Sequence, residues 1–176
     1  MKKGFIFKHI SFLIMVVLFL FTGCTKEPGE DFQQISLPDG LKFNWISSWD
    51  SFTVTSLEYA YYGDTTRTSL CMRGDILEVW KKNGTGEGYL VLLIQESSSS
   101  CGSWGSDYSY FVPGNYTVVR WNELTASSVK AANAYKDGGG IGSECFASKE
   151  TAVNEMIKNI NAPSTYFSYM GSYNRE

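Results

Sequence analysis

Carboxylates are the residues of this chain best placed to do acid–base chemistry. Glu58, Asp75, Glu78, Glu87 and Asp107 lie in or beside segments with a strand-like pattern. Two acids facing each other across one cleft at roughly 5 to 9.5 Å form the machinery of a glycosidase: one protonates the leaving oxygen, the other attacks or activates water. Imidazole chemistry has almost no representation, because His9 is the only histidine and it adjoins an apolar N-terminal run. Aromatic residues are plentiful, with eleven Phe, eleven Tyr and five Trp. Trp45, Trp49, Trp104, Tyr108, Tyr110 and Trp121 stand near Ser, Gly, Asn and Asp, the setting in which a ring stacks on a sugar while polar neighbours take its hydroxyls. The competing reading is that most of these rings are core or cross-strand partners, since strands favour aromatics.

Lys2, Lys3 and Lys8 precede a nearly unbroken apolar run from Ile10 to Phe21, and Thr22-Gly23-Cys24 follows. A basic stretch, an apolar stretch and small residues before a cysteine make the three-part plan of an export signal. The apolar run is shorter than the roughly 20 residues a membrane-spanning helix needs. Phe21-Thr22-Gly23-Cys24 resembles the lipobox of bacterial lipoproteins, with Phe21 where Leu is commoner. The resemblance covers residues 1–24 only. It implies cleavage before Cys24 and acylation of that cysteine with diacylglycerol and a further chain such as palmitate; several chains together anchor a protein stably where one does not. Thr25 rather than Asp after the cysteine implies outer-membrane sorting in the cell envelope, on the periplasmic or surface face.

Loss of residues 1–23 changes the charge and the chemistry of what is left. Three of the fifteen Lys and Arg and none of the eighteen acids lie there, so the net charge moves from −3 to −6. An acidic domain lacks the basic face that nucleic acid requires and has no electrostatic pull toward anionic lipid, leaving Cys24 as its attachment to the membrane. His9 is lost as well. Without imidazole, a Ser-His-Asp or Cys-His hydrolase and a His-ligated zinc or haem site are excluded, and no other metal or cofactor motif stands out. The glycines from Gly138 to Gly142 lack the Lys-Ser/Thr of a phosphate loop.

Residues 24–40, with Pro28, Gly29, Pro38 and Gly40 among charges, have the composition of a tether, and residues 41–176 are expected to form one domain. Its first half alternates with period two: the spacing predicts strands over 52–62, 68–72, 76–82 and 89–95, joined as hairpins. Leu90 to Ile94 is apolar without alternation, as in a strand covered on both faces. Further strands are expected over 108–112 and 116–121, a helix over 124–135, and a second helix carrying Ala152, Val153, Met156, Ile157 and Ile160 after a Ser148 N-cap, with Pro163 past its end. A last strand over 165–170 closes the pattern.

This order predicts a mostly β (α+β) fold: an antiparallel meander curled into a barrel, half-barrel or sandwich, with one or two C-terminal helices. In outline it is similar to lipocalin-like barrels, although their Gly-x-Trp signature is missing at Asp39-Gly40-Leu41. Of the cysteines after Cys24, Cys101 and Cys145 sit in loops where a staple removes the most unfolded-state entropy, so they are expected to pair and Cys71 to be a buried thiol. A reactive Cys145 is the sharper alternative. Functionally, the sequence favours a membrane-anchored, non-catalytic binding protein for a glycan, a small apolar ligand or a protein partner. The alternative is a carboxylate-dependent hydrolase such as a glycosidase.

Overall fold

The structure is a computed structural model that describes residues 31–102, 105–136 and 144–176. Its folded unit runs from Asp31 to Glu176. Strands β1 (Phe32–Gln34), β2 (Asn44–Ile46), β3 (Ser51–Val54), β4 (Glu58–Tyr62), β5 (Leu70–Lys82), β6 (Gly88–Ser97), β7 (Tyr116–Asn122), β8 (Ser128–Asn133) and β9 (Gly171–Arg175) all pair antiparallel. From β2 to β9 each strand pairs with the next in sequence. The ring closes where β9 pairs back onto β2, with Trp45 opposite Arg175 and Ile46 opposite Asn174. The result is a closed eight-stranded barrel with one extra strand, and closure removes the open edges on which a half-barrel would aggregate.

The extra strand, β1, pairs with the far half of the long β5, Phe32 lying opposite Lys82. Phe32 meets the Tyr89 ring edge-on at 5.9 Å, and the Ile35 amide donates to the Val79 carbonyl. Residues 32–40, expected to be tether, therefore belong to the domain. Pro38 and Gly40 give the segment a linker's composition, but Phe32, Ile35 and Leu37 supply apolar contacts that outweigh it.

Two cores explain the non-alternating run in β6. Leu90, Leu92 and Ile94 face the barrel interior with Trp45, Phe52, Tyr59, Met72 and Trp121, all essentially buried. Tyr89 and Val91 face outward into a second core made with Val118, Val153, Met156, Ile157, Ala162 and Phe167. That outer core belongs to the helices inserted between β8 and β9. Helix α1 (Lys149–Val153) starts at the expected cap, the Ser148 side chain accepting from the Thr151 amide, and continues as one π-helical turn over Asn154–Lys158. The buried stripe ends at Ile157, and Ile160 is exposed.

Several expected elements differ. The run 52–62 divides into β3 and β4 at a turn where the Thr55 hydroxyl accepts from the Leu57 and Glu58 amides, and 68–72 and 76–82 are one continuous strand, β5, with no hairpin between them. Residues 128–133 form strand β8 rather than part of a helix over 124–135. The Thr125 hydroxyl accepts from the Ser127 and Ser128 amides, a side-chain turn that competes with helix formation, and Val129 and Ala131 then bury with period two. Residues 108–112 make turns instead of a strand, with the Phe111 amide donating to the Tyr108 carbonyl. Pro163 opens a short helix α2 (Ala162–Tyr166) instead of following the end of one, consistent with proline's tolerance in a first helical turn, so the last strand begins only at Gly171.

The two barrel ends are unequal. Connections 55–57, 83–87 and 123–127 at one end are short. Connections 47–50, 63–69, 98–115 and 134–170 gather at the other, and they include the longest in the fold. Long loops raised on a rigid barrel are where binding residues concentrate.

Candidate functional site

A cavity of about 270 Å³ opens at the long-loop end. All four connections, or the strand ends beside them, contribute to its wall. Asp50 comes from the β2–β3 turn, Tyr61 from the end of β4, and Tyr108 and Tyr110 from the β6–β7 loop. Residues 131–135 come from β8 and just beyond it; Tyr166, Ser168 and Tyr169 precede β9, and Gly171 and Tyr173 lie in it. Seven of the eleven tyrosines thus meet at one place, with no Phe or Trp among the described lining residues.

Asp50 is placed by its own turn. The Ser47 hydroxyl accepts from the amides of Trp49 and Asp50, each at 3.0 Å, and donates to Asp50 Oδ1. The other carboxylate oxygen, Oδ2, accepts from Tyr61 Oη at 2.5 Å and from Tyr173 Oη at 3.2 Å. The half-buried carboxylate is therefore held by three hydroxyl donors, and no Lys or Arg pairs with it among the described residues. Above it the rings pack on one another: Tyr61 to Tyr108 at 5.5 Å, Tyr108 to Tyr110 stacked at 5.4 Å, and Tyr110 to Tyr135 edge-on at 6.4 Å.

Burial pushes the phenols of Tyr61, Tyr108, Tyr110, Tyr166 and Tyr173 above the ordinary tyrosine range. Negative charge adds to this, from Asp50 at Tyr61, Tyr108 and Tyr173 and from Glu144 at Tyr110 and Tyr166. These phenols stay neutral hydrogen-bond donors near neutral pH. Glu144 lies behind the lining, 3% exposed; its Oε1 accepts from the Lys136 amide, and its Oε2 has no hydrogen-bond partner.

A disulfide fixes the loops that carry the aromatic wall. Cys71 pairs with Cys101, correcting the expected Cys101–Cys145 bridge. The cause is strand register: Met72 lies opposite Ser97 in the β5–β6 pair and the Ser98 amide donates to the Cys71 carbonyl, which brings Cys71 alongside the start of the next loop. Beside the bridge, a Cβ on Gly63 would stand 2.5 Å from the Gly102 Cα, and Gly102 has φ +69°, so both positions need glycine. Cys145 is a buried thiol that accepts from Asn115 Nδ2 and donates to the Tyr110 carbonyl, each at 3.5 Å. Burial argues against the reactive alternative.

The aromatics singled out in the sequence separate into three groups. Tyr108 and Tyr110 line the cavity. Trp45 and Trp121 do not: Trp45 is fully buried and donates Nε1–H to the Leu41 carbonyl at 3.0 Å, while the Trp121 ring covers Gly88, where any Cβ would overlap it. Trp49 projects into solvent, 76% exposed, outside the cavity wall. Trp104, Cys24 and the glycines 138–142 lie outside the described residues.

None of the five candidate acids lines the tyrosine cavity. Glu58 and Asp75 are cross-strand neighbours, Glu58 beside Arg73 and Asp75 accepting from Gln95 at 2.7 Å. Glu78 borders a shallower groove between residues 34–37 and 76–79, where it accepts from Trp80 and pairs with Lys149. Glu87 pairs with Arg120 at 2.8 Å and accepts from Tyr89, while Asp107 caps the Ser109 amide. Burial alone would raise Glu78 and Glu87, but their hydrogen bonds and cations outweigh it and hold both low. Among the described residues, no group of three His, Cys, Asp or Glu gathers in a metal-holding arrangement.

Sequence reasoning missed Asp50, Tyr61, Tyr135, Tyr166, Tyr169 and Tyr173. The available signal was the recurrence of tyrosine in or beside three of the four connections at that end, 63–69, 98–115 and 134–170. No family model, curated protein or solved structure matches the chain.

Proposed function

We propose that this protein is a lipid-anchored binding protein of the bacterial cell envelope, held by acylated Cys24, that takes a small ligand into the tyrosine cavity of its barrel. The observation that carries the binding half is the convergence of seven tyrosines and one carboxylate at the long-loop end, without a second acid or a base in the wall among the described residues. Neutral phenols and ring faces bind and orient a ligand, and the one carboxylate is held in place by three hydroxyl donors. The barrel interior is occupied by Trp45, Phe52, Tyr59, Met72 and Trp121, which directs a small apolar or polar ligand to the mouth rather than to the centre. The hydrolase alternative has no cleft-facing pair among the five acids that motivated it.

Anchoring is tested by fractionation. The lipobox reading predicts that Cys24→Ser releases the protein from membranes, whereas a variant that still sediments with them contradicts the anchor.

Binding is tested by titrating amide spectra of the soluble domain with glucose, N-acetylglucosamine and tetramethylammonium. The expected result is a saturable set of shifts centred on Asn133, Ala134, Ser168 and Gly171. Shifts confined to the 34–37 groove, or no saturable shift with any probe, would contradict the cavity as the binding site.

A further inference from the structure

We infer that the tyrosine cavity is built for an organic cation, specifically a quaternary ammonium group on a small molecule. This rests on the cavity being a binding site and goes further in assigning the charge of its occupant. The first argument is an imbalance. Elsewhere on the barrel the similarly shielded acids hold cations, Glu78 with Lys149 and Glu87 with Arg120. Among the described residues Asp50 has none, and neither does Glu144, which is buried behind the same wall with one oxygen unpartnered. Among the described residues no Lys or Arg lines the cavity. Negative charge withdrawn from water is stabilised by a counter-charge, and here a bound ligand is the group left to supply it.

The second argument is the wall itself. Tyrosine faces attract a cation through the ring quadrupole, and several rings around one cation form the cage by which quaternary ammonium groups are recognised. Tyr61, Tyr108, Tyr110 and Tyr135 make a continuous chain of ring contacts along the opening. The hydrogen bonds already made by Asp50 favour a quaternary ammonium over a primary amine. A carboxylate offers about four acceptor positions, and Ser47, Tyr61 and Tyr173 already fill three on Asp50. What Asp50 chiefly has left to give is charge, which suits a cation with no N–H to donate. At about 270 Å³ the cavity is slightly below the range of about 300 to 1,000 Å³ usual for drug-sized ligands, a size suited to a headgroup.

The test compares choline with its neutral carbon isostere, in which a quaternary carbon replaces the nitrogen, by calorimetry on the soluble domain. Glucose serves as a third probe. Choline is expected to bind at least about tenfold more tightly than the isostere. Asp50→Asn should erase that preference while leaving the far-ultraviolet spectrum of the barrel unchanged. Tyr135→Leu at the exposed rim should weaken choline, and Tyr135→Phe, which keeps the ring, should not. Equal affinity for choline and the isostere, or saturable binding of glucose alone, overturns the cation inference and leaves the binding function standing. Failure of all three probes to bind overturns both.

Discussion

Replacing Cys71 and Cys101 together by serine is expected to lower the unfolding free energy by about 3 to 4 kcal/mol. The bridge closes a loop of 30 residues in sequence, and the chain entropy it removes from the unfolded state scales to that figure. The loss should reach the binding site as well. The disulfide joins the start of β5 to the loop that carries Tyr108 and Tyr110, and the Gly63–Gly102 contact presses the 63–69 connection against that same loop. Denaturant titration of the double variant, compared with the native protein with and without reductant, measures the effect. Cys145→Ser provides the control, because that thiol takes no part in the bridge. An unchanged midpoint in the double variant, or an equal loss in the control, would contradict the pairing.

Trp45→Ala is expected to cost about 3 to 5 kcal/mol, the range for removing a large aromatic from a well-packed interior. Trp45 is fully buried, lies 6.2 Å from Phe52 ring to ring, and meets Phe43 edge-on at 6.4 Å. Its indole N–H also donates to the Leu41 carbonyl, which keeps only the Phe43 amide as a donor in the variant. Because β2 is the strand on which the barrel closes, the loss falls at the seam between first and last barrel strands. Thermal and denaturant unfolding both read the effect. A loss below about 1 kcal/mol would mean that Trp45 is not the interior plug described here.

The contrast between Trp45 and Tyr108 shows what a linear sequence could and could not reveal about this site. Both stand near polar, turn-forming neighbours, so both suit an exposed stacking position. Strand parity sends Trp45 inward, whereas Tyr108 lies in a connection and turns to the mouth. The barrel was legible because period-two patterning and the doubly apolar run from Leu90 to Ile94 are local signals of strands and of a covered face. Strand β8 was not, because Val129, Ala132 and Tyr135 match a helical face as well as Val129 and Ala131 match a strand. The decision came from the Thr125 turn and from the need to bridge β7 and β9. Asp50 was illegible for a different reason. One acid among eighteen becomes distinctive only when closure brings Tyr61 and Tyr173 onto its carboxylate. The Cys71–Cys101 pair likewise depends on hairpin register, which the cysteine spacing alone does not encode.

Asp50 also explains how a barrel with a filled interior retains a site. The inner residues hold the wall rigid, and the unequal loops raise a second, tyrosine-rich layer above it. Ligand recognition then relies on phenols that burial keeps neutral and on one carboxylate whose hydroxyl partners fix its position.

The most direct measurement of this account is the amide-shift titration of the soluble domain. Saturable shifts at Asn133, Ala134, Ser168 and Gly171 on adding tetramethylammonium are the predicted result. A protein whose amides around the barrel mouth stay unmoved by tetramethylammonium, glucose and N-acetylglucosamine alike would contradict the claim that this cavity binds a ligand.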